Sequence, residues 1–419
     1  MRTIQFSLFT LLAGFLIWKG IYPAFTRIDS DFPNYYTAAR LFNEHKDISN
    51  IYDDEWFQHQ INSYGIEQVG KFSPYPPVTV FLMTPIANVP PIVALRTWTI
   101  ANIVILAGII ALLTKISGKD WLWCALLVLS SGVGLANNFR LGQFYLILTL
   151  LTMSGYYCWK SPRQIASGIL FGLGGALKYF PLIFIPVFIA RKEWKLTLTC
   201  CAIVTAVCGA TVLILGTEIH KQYFSLVLMD HISGNIQDPF SSTFQSWNSL
   251  LRRLFIFDPT LNPDPLFPSI ILFYISKYTI IAGVIIVTIM ACRHAGSYFS
   301  NYVHEIQFAV VGIAGLLLLP AGATYHFLLL ILPIGVLLSF ADGIWFFEKK
   351  FLLALYAAIG FIPYSLFKQF EGKGVLTLAA YPRLWLITAI FLTTLRLIWK
   401  RQNVPQSIIS TIDPLPVKG

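Results

Sequence analysis

The chain has 419 residues, of which 56% are hydrophobic and only 12% charged, and its formal net charge is +10. A soluble domain keeps about a quarter of its residues charged, so half that value excludes an ordinary soluble enzyme and argues for a membrane protein. The positive charge would suggest nucleic acid, but its distribution along the chain excludes that partner.

A membrane span takes about 20 mostly apolar residues. The first run, 4–25, is too long for a signal-peptide core and lacks a small-x-small cleavage site, which predicts an uncleaved helix. "IDSDFPNYYTAARLF" follows it and sets Asp29, Asp31, Tyr35 and Tyr36 at the membrane boundary. Residues 76–90 are apolar, bounded by proline and too short to span comfortably, which predicts a re-entrant or interfacial helix. Spans are then expected at 92–114, 121–137 and 141–158. Residues 164–190 carry "KYFP" between two short apolar halves, so they form a tight hairpin or a broken helix. Non-helical backbone at that depth is tolerated only where protein or a watery cavity covers it. Further runs occupy 195–216, 269–291, 306–319, 323–341, 350–367 and 382–399. The expectation is one all-α polytopic unit over 1–419 with about 11 to 12 transmembrane or re-entrant helices. The six cysteines lie in or beside apolar runs without a CxxC, so neither a disulfide framework nor a metal site is indicated.

Orientation follows from the positive-inside rule. With a cytoplasmic N-terminus and 76–90 dipping without crossing, one set of turns holds Lys115 and Lys119, Lys160 and Arg163, Arg191, Lys192 and Lys195, Arg293, Lys349 and Lys350, and Lys400 and Arg401. The opposite segment 26–75 holds eight acids against four Lys/Arg, and loop 217–268 is also slightly acidic. The basic excess therefore reports orientation in a cell membrane, with both termini cytoplasmic. Nearly every unusual polar cluster then falls on the outer side, as an active site facing the periplasm or exterior requires.

Each candidate has a plain structural alternative. Asp31 suits a helix cap, Arg140 a snorkelling anchor and His326 a satisfied helix-end histidine. Lys178 is harder to dismiss, because a charge between two apolar half-helices implies function by default. An outward acid with several cations, fed from the bilayer, suits sugar transfer from a polyprenyl-phosphate donor. The carboxylate takes the acceptor's proton, and Lys, Arg and His stabilise the departing lipid phosphate. No Gly-rich phosphate loop and no metal-ligand spacing is present, so no cofactor is expected. A flippase for a lipid-linked saccharide is the alternative; it would place charged pairs at the midplane and polar residues on the inner face.

The order Asp31…Tyr35, "IYD", "FSPYPPVTVFLMTPIANVP", "NNFRLGQFYLILTLL", "ALKYFPLIFIPVFIARKEWK", "SWNSLLRRLF" and "LLLLPAGATYHFLLLILP" resembles glycosyltransferase family 87 over about residues 28 to 335. That resemblance implies the all-helical GT-C architecture and mannosyl transfer from a polyprenyl-phosphate donor, with inversion, onto a glycolipid or envelope-glycan acceptor. It implies Asp31 as base, although Asp29 two residues earlier could take that role. Lys178, His326, Arg252, Arg253 and Arg140 are implied at the donor phosphate, and Tyr35, Gln143, Asn248 and Tyr325 at the substrate. Phe144 departs from the family's usual Asn. Beyond about residue 345 no segment matches.

Overall fold

A computed structural model describes residues 2–235, 238–298, 302–340 and 346–400. Arg401 and the rest of the C-terminus, part of the orientation argument, lie outside the described residues. Among those described the fold is all-helical, with one isolated bridge between Asp258 and Asn262 and no sheet. Five helices are long and apolar enough to cross a membrane: Arg2–Thr26, Pro91–Ser117, Trp194–Leu215, Ile270–Ser297 and Pro382–Lys400. Two bent pairs and five shorter apolar helices complete a polytopic, GT-C-type architecture.

Both bends have a local cause. Trp121–Leu129 and Val133–Arg140 meet at 76°, and Phe347–Phe361 and Tyr364–Phe370 at 78°. Gly132 breaks the first pair with a φ of +55°, and Pro363 lies in the second break. The two breaks pack on each other. A Cβ on Gly132 would stand 2.4 Å from the Gly360 carbonyl, and one on Gly360 2.1 Å from that of Ser130. Only glycine admits that backbone contact. Buried Arg383 then satisfies the freed carbonyls, donating Nε to Ile359 at 3.1 Å and Nη2 to Ile362 at 3.0 Å. A cation at a helix C-terminus is favoured by the axial dipole as well.

Residues 164–190 form the tight hairpin. Gln164–Leu177 and Phe180–Ala190 are its arms, and a side-chain hydrogen bond from Gln164 to Glu193 joins its feet. Lys178 therefore stands at the far apex, in extended backbone. At the same end as the feet, Lys160 pairs with Glu305, and Arg191 bonds Gln307 at 3.3 Å and His304 at 2.8 Å.

At the opposite end, residues 28–87 build a second core separate from the bundle's own. Phe32, Ile51, Phe57, Ile61, Phe72 and Val80 fill it from helices Phe32–Asn43 and Asp54–Ser63 and the 3-10 segment Pro77–Leu82. Several of this segment's polar groups hold the layer together. Asp53 caps its helix by accepting from Glu55 and Trp56, Glu44 pairs with Arg40 and Lys46, and Tyr36 donates to the Val89 carbonyl at 2.7 Å. The expected re-entrant segment is the Pro77–Ile86 turn of this layer.

Candidate active site

Asp31 occupies the N-cap position of Phe32–Asn43 but makes no capping hydrogen bond. Its carboxylate is taken instead by Gln143, whose Nε2 donates to Oδ2 at 2.6 Å. Gln143 is fixed in turn by Tyr35, whose hydroxyl donates to Oε1 at 2.9 Å. This bridge depends on Gly142, at a φ of +68° and so close to Phe32 that a Cβ there would lie 2.8 Å from it. Burial raises the Asp31 pKa above its ordinary value; hydrogen bonds from Gln143 and Ser30 and the Arg140 charge offset part of that rise, while Asp29 adds to it. A carboxylate with a raised pKa and no cation in contact is a stronger proton acceptor than a solvated one.

Asp29 has a different environment. Arg140 Nε lies 3.2 Å from it and Arg27 Nε 3.4 Å, so its charge is matched on the spot. Arg140 thus faces an acid.

Lys178 is buried and lies over the Tyr75 ring, with Nζ 5.5 Å from the centroid. Its ammonium makes no hydrogen bond or ion pair with any described residue. Tyr75 packs on Tyr35 at 4.7 Å between ring centres, so one aromatic wall links the lysine to the Asp31–Gln143 bridge. Tyr145 continues that wall to Tyr325 and His326, at 5.0 Å and 4.8 Å. His326 Nδ1 accepts from the Ala323 N–H at 3.0 Å, which leaves the proton of the neutral ring on Nε2. His231 joins the same cluster through a hydrogen bond between its Nε2 and the Tyr179 hydroxyl. Its Nδ1 is buried without a partner, and burial, aided by Lys178, lowers its pKa to about 3. His231 would therefore be neutral at physiological pH.

The remaining expected residues are held by other partners. Arg253 is held by Glu371, Nη2 to Oε1 at 2.6 Å, and by the carbonyl of Phe240 at 2.6 Å. Arg252 bonds Asn235 and the Ser233 carbonyl, beside Lys277. Asn248 donates to the Gly234 carbonyl at 3.3 Å, while its Oδ1 is buried and unpartnered. Sequence reasoning missed His231, Tyr75, Tyr145 and Lys277. Tyr75 stands within a quoted segment, but nothing in the pattern of loop 217–268 singles out His231.

A groove of about 680 Å³ opens at Asp31. Asn34, Glu55, Gln58, His59, Asn62 and Lys71 are among the polar side chains lining it. The site thus has a polar approach on one side of the acid and an aromatic, cationic one on the other.

The family model of glycosyltransferase family 87 matches residues 72–320. The chain belongs to this family. Lys178, Gln143, Asn248, Arg252 and Arg253 fall inside the matched stretch, and Asp31 precedes it. The chain is also similar to two polyprenol-phosphate-mannose-dependent alpha-(1-2)-phosphatidylinositol pentamannoside mannosyltransferases. That of Mycolicibacterium smegmatis is 25% identical over 61% of this chain and 58% of its own length. That of Mycobacterium tuberculosis is 24% identical over 61% and 56%. The chain thus spans little more than half the length of these relatives. No solved structure matches it.

Proposed function

We propose that this protein transfers a sugar, mannose, from a polyprenyl-phosphate donor to a hydroxyl of a glycolipid or envelope glycan at the outer face of the cell membrane. The supporting observation is the division of the site around Asp31. A raised-pKa carboxylate closes a polar groove suited to a hydroxylated acceptor, while Lys178 and His326 supply donors with no internal anion behind the aromatic wall.

In the reaction the acceptor oxygen attacks the anomeric carbon and gives its proton to Asp31. The bond from that carbon to the lipid-phosphate oxygen breaks, and its electron pair leaves with the phosphate. Lys178 and the Nε2–H of His326 stabilise the charge that develops there. Attack opposite the leaving group inverts the anomeric centre. Gln143 keeps Asp31 aimed, and Tyr35 and Tyr325 form sugar-facing walls. Asp29, paired with Arg140 and Arg27, sets the local field and leaves the proton to Asp31. The whole chain, 1–419, acts as one unit, with segments 26–75 and 217–268 outside.

The test incubates membranes with labelled polyprenyl-phosphate mannose and identifies the labelled product. Transfer by the wild-type protein and none by Asp31→Asn supports the reading; no transfer from any polyprenyl-phosphate sugar defeats it. For orientation, an impermeant thiol reagent on intact cells should modify Ser63→Cys and spare Lys119→Cys.

A further inference from the structure

Arg252 and Lys277 form a cationic pair for which the described protein offers no anion. Arg252 lies on helix Trp247–Phe255, and Lys277 about 10 Å along helix Ile270–Tyr298 from its start, at 1.5 Å per residue. Both donate to one carbonyl, that of Ser233, from Nη2 at 3.4 Å and Nζ at 2.9 Å. Both also sit over one ring, Phe273, at 5.2 Å and 5.6 Å from its centroid. Arg252 reaches Asn235 as well, yet its Nε is buried without a partner. Among the described residues neither cation meets a carboxylate.

One carbonyl, one neutral amide and one aromatic face do not balance two part-buried positive charges, so an anion completes the site. The surroundings say which kind. Ile271, Tyr274, Ile275 and Tyr278 are exposed on the same helix, which is hardly buried in the protein and so faces lipid chains. An anion tethered to those chains, at headgroup depth, is a lipid phosphate. We propose that Arg252 and Lys277 clamp the phosphate ester of a membrane lipid at the outer end of Ile270–Tyr298, through Ser233 and Phe273, contacts that Lys178 over Tyr75 does not share. The clamp does not depend on the transfer reaction proposed above. Its chemistry suits a polyprenyl phosphate on its way to the hairpin or a glycerophospholipid held as a structural ligand.

Native mass spectrometry of the full chain, titrated separately with undecaprenyl phosphate and phosphatidylglycerol, tests it. Lys277→Met and Arg252→Gln should each weaken binding of at least one of these lipids about tenfold, the loss of one charge-assisted hydrogen bond, and Lys277→Arg should keep it. The lipid whose affinity falls identifies the source. Arg252→Gln leaves the spanning helix intact and decides the matter if Lys277→Met does not fold. Unchanged affinity for both lipids in a folded variant would overturn the clamp, as would displacement of lipid by millimolar inorganic phosphate. Asp31→Asn should bind both lipids normally, so a failed transfer reaction and a failed clamp give different results.

Discussion

The two ends of the molecule treat charge in opposite ways. At the hairpin's feet, cations are paired with carboxylates inside the protein: Lys160 with Glu305 and, along the final helix, Lys400 with Glu348 at 2.7 Å. At the apex end Lys178, Arg252 and Lys277 meet no carboxylate among the described residues, while Asp31 is held by a neutral amide. Taking a charge out of water is costly, and pairing is how a structure offsets that cost. Charges left unpaired in a water-poor place are therefore kept for a ligand, and the paired ones for the fold. The apex end itself contains both kinds, since Asp29 is paired and Asp31 is held by Gln143.

The largest effect should come from Asp31→Asn, which keeps the shape and removes the basic oxygen. Turnover is expected to fall about 10²–10⁴-fold in initial-rate assays, the usual contribution of a positioned base. Asp29→Asn should cost far less, because it removes an ion-pair partner. A dead Asp29→Asn with an active Asp31→Asn would reverse the assignment of paired and unpaired acid. Next comes Lys178→Gln, expected to lower turnover about 10²–10³-fold, the usual cost of losing one donor to a developing anion. Lys160→Gln, at the other end, should leave the rate near wild type. Equal losses in the two variants would break the comparison between the ends.

Third is a stability effect. Glu371→Gln leaves Arg253 buried without its counter-charge and weakens the bonds that Glu371 accepts from Ser242 at 3.1 Å and 2.9 Å. A cost of about 3 kcal/mol is expected, read as a lower thermal midpoint in detergent. If that midpoint is unchanged, Arg253 does not belong with the paired set.

Much of this was legible in the sequence because the bilayer restricts the answer. The all-helical polytopic fold and the apex lysine between two apolar halves follow from apolar length. The bent pairs did not read out. Ser130, Ser131 and Gly132 look like the middle of an apolar run, and their break makes sense only against Gly360 from a distant helix. Nor could local pattern separate Arg252 from Arg253. The two are adjacent, yet one meets Glu371 from the C-terminal third and the other Lys277 from a spanning helix. His231 was invisible for the same reason, since its partner Tyr179 comes from the hairpin.

The smallest effect is also the most discriminating, because its sign differs among neighbours of one acid. Burial raises the Asp31 pKa, and the Gln143 hydrogen bond is the largest influence opposing it. The base works only when deprotonated, so its pKa sets the acidic limb of kcat/KM against pH. Gln143→Met keeps the bulk and removes the donor, so the pKa rises further and the limb moves to higher pH. Arg140→Gln removes a favourable cation and should move it the same way by less. Asp29→Asn removes a like charge, lowers the Asp31 pKa and should move the limb to lower pH. The two members of one ion pair, Asp29 and Arg140, are thus expected to shift the profile in opposite directions. If the limb belonged to Asp29, Asp29→Asn would abolish it instead, and Gln143→Met, which touches Asp31 alone of the two acids, would leave it in place.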